Sequence, residues 1–352
     1  MYASLLMMGI STSIIGILPP AASAGVGVVI VLQLMRLAQC FGRGGTWGGG
    51  ILMAYENVPE NKRSFYAAIP QIGLPIGFGL SSILIAVPTL LLPEDIFFTW
   101  GWRIPFLAAI ILTVIVIRQK GEMMETEDYK KAQAKLEAEE AEGKKHKVGF
   151  IPMVKGYWKT LLLGCGTRWV DGTFYNIFIV WILSYCINWL GMPLIQTYII
   201  TIIACIFKIP FTLFGGWCAQ KLGNTRTFVI GALASAVLSI PTLKVIELSK
   251  GNLAITIIGI VLGWSIAYNL IWAVISSLWS SYFETEVRYS GISFVYHVPS
   301  FLVAGMVPTI CTLLINYGKG DTIYVGIYST VVALISAACA LALKARHDRG
   351  EK

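Results

Sequence analysis

Charge is scarce in this sequence. Only 13% of its 352 residues are Asp, Glu, Lys or Arg, about half the share of an ordinary soluble domain. Too little remains to cover a water-facing surface, which excludes a soluble globular protein. The alternation of a membrane-spanning β-barrel is missing too, because the apolar blocks are continuous and about twenty residues long. The start, MYASLLMMGISTSIIGILPP, has no basic residue before its apolar stretch and no clear small-residue cleavage site. It reads as a first span rather than a signal peptide. Cys40, Cys165, Cys186, Cys205, Cys218, Cys311 and Cys339 form no CxxC pair and mostly sit in apolar runs. They read as small buried hydrophobes, without a disulfide framework or a metal set. No nucleotide-binding glycine loop, metal-spacing cluster or nucleophile triad occurs, so no enzyme, cofactor or metal is expected.

What the chain does have is 56% hydrophobic residues and a mean hydropathy of +0.71. These predict an all-α polytopic membrane protein with ten spans. The first four are about Tyr2 to Leu18, Val26 to Tyr55, Ala67 to Leu92 and Trp100 to Ile117. Six more lie near Thr160 to Trp189, Leu194 to Trp217, Phe228 to Leu248, Leu253 to Ser277, Gly291 to Ile315 and Tyr324 to Leu343. Between the two groups, residues 118–148 hold eight acidic and eight basic residues. Glu127 and Lys131 there suit a solvated helix. The expected division is therefore 1–117, a linker at 118–157, a six-helix bundle at 158–345 and a tail at 346–352. A net charge of +8 would suggest nucleic acid in a soluble chain. Here 19 of the 27 Lys and Arg fall in or beside one set of loops. That is the positive-inside bias, and with an even number of spans both termini are cytoplasmic.

Ionisable groups inside a span face a partner or a wet cavity, since bare charge in hydrocarbon is costly. Arg36, Gln39 and Arg43 recur at three and four residues and share one helical face; a short soluble helix with snorkelling arginines is the bland alternative. The glycines at 42, 44, 45, 48, 49 and 50 are explained by close helix packing. In GTRWVDGTFYN, Arg168, Asp171 and Tyr175 share a face in the same way. Asp171 lies deep within its span, whereas Glu56 and Glu247 sit near helix ends. Desolvation favours its protonated form and Arg168 its ionised form, a balance that proton coupling needs; an inert pair with Arg168 is the other possibility. Arg36, Arg43, Arg168 and Lys208 together ask for an anion, unless Lys208 snorkels. Tyr268 and Asn269 are cavity walls or core. His297 titrates in a range suited to proton traffic, or packs through one ring nitrogen.

The stretch from Arg36 to Gly49 resembles R-x-x-Q-G-x-x-x-G-G-E-W-G-G of the metabolite:proton symporter branch of the major facilitator superfamily. That branch includes shikimate, 2-oxoglutarate, citrate and proline/betaine transporters. Arg36, Gln39, Gly44, Gly45, Trp47, Gly48 and Gly49 match, while Cys40 replaces a glycine and Thr46 a glutamate. Further matches are Glu56, Lys62 to Tyr66 (KRSFY), Gln71, Gly73, Trp100 to Phe106 (WGWRIPF) and Arg288 to Gly291 (RYSG). Gly216 to Arg226 resembles the family's cytoplasmic loop motif, with Gln220 in place of the acid and Asn224 in place of an arginine. Glu125 to Tyr129 resembles E-[ST]-P-x-F without its proline. The first-half loop motif would lie before Met1, so the resemblance implies a partial major facilitator fold, with family helices three to twelve in a four-plus-six arrangement.

From this resemblance follows an expected function: alternating-access transport of a small organic acid, coupled to protons, in a bacterial inner membrane. Substrate contacts are expected from Arg36, Gln39, Arg43, Arg168, Tyr175, Lys208, Tyr268 and Asn269, and proton coupling from Asp171 and His297. Arg288, Lys62 and Arg63 belong to loop motifs suited to gating. The expected partners are an organic anion, a proton and the lipid bilayer, with no nucleic acid, for a monomer. The rival expectation is a vestigial or structural membrane protein, inactive because two helices are missing.

Overall fold

Long apolar runs can satisfy their backbone in lipid only by coiling, and this chain is helical throughout its described residues. The computed structural model describes residues 2–20, 25–56, 58–59, 62–118 and 150–351, without the side chains of 2, 44–49, 52–53, 56, 150–152, 285–286 and 301–302. The charged pair Glu127 and Lys131 and the stretch Glu125 to Tyr129 lie outside them. The helices are α1 (Tyr2–Ile17), α2 (Val26–Glu56), α3 (Arg63–Ala68), α4 (Gly73–Leu91), α5 (Glu94–Thr99), α6 (Ile104–Arg118), α7 (Phe150–Tyr175), α8 (Ile182–Asn188), α9 (Leu194–Leu222), α10 (Asn224–Leu248), α11 (Leu253–Ile260), α12 (Asn269–Ser280), α13 (Thr285–Leu302), α14 (Val307–Tyr317) and α15 (Ile323–Asp348). Among the described residues, nine helical stretches are long and apolar enough to cross a membrane. The expected first span is the shorter apolar helix α1, whose run stops at Pro19 and Pro20.

The chain forms two compact units, one from Met1–Ile51 with Leu80–Thr126 and the other from Leu52–Gly79 with Glu127–Lys352. In the first unit α1 lies along α6, and the approach is close because Gly16 stands against Phe106, where a Cβ would come within 2.8 Å. Arg103 donates from Nη1 to the Gly16 carbonyl at 2.9 Å. It thereby satisfies an orphan acceptor at the negative end of α1. The basic residue of WGWRIPF is thus a helix cap.

In the second unit α10 and α7 pack on α15, and α9 and α12 pack on each other and on α3. Small hydroxyls hold these seams, as expected where lipid offers no hydrophobic drive between helices. Ser336 donates to Gly166 O at 2.7 Å and accepts from Val170 N at 3.1 Å, and Ser265 donates to Ala204 O at 2.8 Å. Two expected spans are not uniform α-helix. Asn176–Trp181 and Val261–Ala267 are π-helical, a widening that re-aims side chains and often marks a functional site. Gly263 of one packs against the Phe178 ring of the other. The span expected at Gly291 to Ile315 breaks into α13, a 3₁₀ turn at Ala304–Met306 and α14. Pro308 supplies no N–H to continue the ladder there. Of the expected linker 118–157, the part from Phe150 is the start of α7, and α15 runs to Asp348 into the expected tail.

Candidate functional site

In the second unit, three helical segments bring four ionisable or hydroxyl-bearing side chains into one buried line. Helix α7 turns Arg168 and Asp171 the same way, and they form an ion pair. The Tyr268 hydroxyl donates to the other Asp171 oxygen. Arg168 also donates from Nη2 to Ser300 Oγ at 3.3 Å and lies 4.3 Å over the Tyr296 ring. Asp171 is 1% exposed, so its charge depends on these two partners.

Lys208, in the middle of α9, is completely buried. That removes the snorkelling alternative, which needs the head group to reach water. Its Nζ sits 4.4 Å from the ring of Trp264, 4.3 Å from Tyr268 and 5.9 Å from Trp272. All three are within cation–π range. No acceptor for the ammonium exists among the described residues, and the buried Trp264 Nε1 also lacks one.

The cage walls are held from behind. Trp272 donates from Nε1 to Gln71 O at 3.1 Å, and Gln71 Nε2 returns a bond to Trp272 O at 3.4 Å. Phe174 stacks on Tyr268 at 6.1 Å. Asn269 uses its amide on α9: Nδ2 donates to Lys208 O at 2.8 Å, and Oδ1 accepts from Thr212 at 3.1 Å. Its observed contacts therefore position Lys208. Tyr175 is half-buried with its ring edge on Phe78, and half-buried His297 meets the neighbouring Tyr296 ring edge-on.

The three residues assigned to gating do not behave alike. Arg63 and Arg288, far apart in sequence, lie over one ring, that of Tyr55, at 5.3 and 5.7 Å. Lys62 is exposed. In the first unit, Arg36 donates to Gln39 Oε1 at 3.3 Å, and Gln39 donates to Thr12 at 2.7 Å. Arg36 and Arg43 are exposed on the protein surface. Trp264, Tyr55 and Thr12 carry these arrangements without having stood out as candidates. The four-residue spacing of Trp264, Tyr268 and Trp272 is a sequence signal for one aromatic face; nothing local marks Tyr55.

A family profile described as the Major Facilitator Superfamily matches residues 1–301. The chain belongs to that superfamily. This major facilitator is similar to the inner membrane metabolite transport protein YhjE of Escherichia coli (strain K12), at 31% identity over 99% of this chain and 78% of that protein. It is similar to the shikimate transporter of the same organism at 30% identity over 96% and 76% of the two chains. A solved structure of the proton:xylose symporter XylE with 6-bromo-6-deoxy-D-glucose bound superposes with a TM-score of 0.71 over 97% of this chain and 78% of that one, at 16% identity. The last comparison establishes the major facilitator fold alone. Membership makes the chain a multi-pass membrane transporter rather than an enzyme.

Proposed function

We propose that this major facilitator carries a small organic anion with a proton across the bacterial inner membrane by alternating access. The observation that carries the reading is that two buried donors, Lys208 Nζ and Trp264 Nε1, have no acceptor among the described residues. A buried ammonium without a counter-ion costs several kcal/mol, and a carboxylate is the acceptor that answers it best. One relative supports the class of cargo, since it is named as a shikimate transporter. Lys208, Asp171, Tyr268 and Asn269 are each at most 1% exposed. Ligand therefore reaches them only when helices separate, as alternating access requires.

In the proposed cycle a proton neutralises Asp171, which frees the Arg168 guanidinium and the Tyr268 hydroxyl for the incoming anion. Lys208 supplies the second positive contact, Tyr175 lines the path, and His297 is the accessory proton group. In the first unit, Arg36 with Gln39 and Arg43 offer anions a bidentate grip that lysine could not reproduce. Arg288 and Arg63 gate through Tyr55, and the exposed Lys62 is the third proposed gating residue. Ten spans, counting α1, and cytoplasmic termini belong to the proposed arrangement, which the positive-inside bias supports, with the monomer as the working unit. The test is shikimate-dependent proton uptake in proteoliposomes. Wild type takes up protons with shikimate, and Asp171→Asn binds shikimate but moves no protons. Unchanged coupling in Asp171→Asn would remove Asp171 from the mechanism. Absence of proton movement with shikimate, 2-oxoglutarate and citrate alike would refute organic-acid symport.

A further inference from the structure

Lys208 fills a space of unusual character. Two tryptophans and a tyrosine surround its ammonium at 4.3 to 5.9 Å from their ring centroids. Such a group of rings is the recognition device for quaternary ammonium ions, with tryptophan the strongest contributor. Here the occupant is the protein's own lysine. Two of the three walls do not depend on it, because Trp272 is fixed by Gln71 and Tyr268 by Asp171 and Phe174. Asn269 and Thr212 fix the backbone on which the lysine stands.

We infer that Lys208 is a tethered cation that occupies an aromatic ammonium cage and so sets the substrate class of this carrier. It presents positive charge to carboxylates and denies the cage to betaine-like cations and zwitterions. A trimethylammonium head entering the wild-type cage meets both a steric block and a like charge. Lys208→Ala removes three methylenes and the ammonium. A trimethylammonium head, one nitrogen with three methyls, replaces them atom for atom. Lys208→Met refills the space without charge. The carboxylate half of this inference rests on the organic-anion reading above; the cage half stands on geometry alone.

The test uses the purified full chain in detergent, titrated separately with tetramethylammonium chloride, glycine betaine and shikimate, and followed by calorimetry and by tryptophan emission, since two indoles line the cage. Lys208→Ala is expected to bind tetramethylammonium and glycine betaine at least tenfold more tightly than wild type, whereas Lys208→Met gains neither. Both variants lose shikimate binding. Equal tetramethylammonium affinity in wild type and Lys208→Ala would overturn the inference, as would an equal gain in Lys208→Met. If Lys208→Ala does not purify as a folded monodisperse protein, Lys208→Ser carries the same expected and refuting outcomes. Failure of wild type to bind any of shikimate, 2-oxoglutarate and citrate, the last two titrated in the same way, with tetramethylammonium still gained in Lys208→Ala, would refute the organic-anion reading and leave the cage standing.

Discussion

Replacing Lys208 by Met should make this protein more stable in the absence of ligand. An ion removed from water costs several kcal/mol even after its surroundings relax, and burying one without a partner forgoes the compensating Coulomb term. The three rings around Nζ return about 2 kcal/mol when desolvated. Methionine has nearly the same length and shape, brings no charge, and its sulfur packs well against aromatic rings. The expected net gain is about 1–3 kcal/mol, similar to that seen when buried ion pairs are replaced by apolar residues of similar volume. Reversible unfolding in mixed micelles, followed by tryptophan emission with and without shikimate, gives the comparison. Ligand at 100 times its Kd adds about 2.7 kcal/mol to wild type and nothing to the variant, so the order of stabilities should close or reverse. A loss of about 3–5 kcal/mol in Lys208→Met without ligand would refute the reasoning, because that is the cost of deleting one member of a buried ion pair. Lys208 would then have an acidic partner.

Three further outcomes follow from other contacts. Tyr268→Phe removes the hydroxyl that donates to Asp171 and should cost about 1.5–3 kcal/mol in the same unfolding assay, the range for a hydrogen bond to a charged group; no change would mean that Arg168 alone satisfies the carboxylate. Gly263→Ala forces a methyl onto the buried Phe178 ring between the two π-helical segments and should cost about 1–3 kcal/mol by overpacking, partly recovered by Phe178→Leu. Asp321 accepts from Lys244 Nζ at 2.7 Å and from Ile323 N at 2.7 Å, and these bonds hold its carboxyl below the usual value of 3.8. Since its folded-state pKa is depressed, its contribution is present above the unfolded pKa and disappears as pH falls through the folded one. The melting temperature of wild type should therefore fall more steeply below about pH 4 than that of Asp321→Asn; parallel curves would show that Asp321 contributes nothing to acid lability.

Much of this organisation is legible along the chain because the bilayer imposes it locally. A run of about twenty apolar residues has one backbone solution in hydrocarbon, and α9, α10 and α15 run where hydropathy places them. Arg168 and Asp171 are three apart, so helical geometry alone puts them within reach of one another. Interruptions are less legible. The π-helical segments Asn176–Trp181 and Val261–Ala267 occur inside apolar runs whose composition is ordinary for α-helix, and the packing of Gly263 on Phe178 joins residues far apart in sequence. Arg103 shows the same limit: it is part of a recognisable WGWRIPF stretch, while its bond to Gly16 O crosses 87 residues.

The sequence by itself determined that the chain is helical, membrane-embedded, net positive and built like a major facilitator. Each of those properties depends on composition or on residues within a few turns of one another. Only the tertiary structure decided what the charges meet. It brought the Tyr268 hydroxyl onto Asp171, drew Arg63 and Arg288 onto Tyr55, and enclosed Lys208 in rings instead of letting it reach water. The physical reason is that a buried charge takes its energy from neighbours on other helices, and which helices become neighbours is settled by packing, not by spacing along the chain.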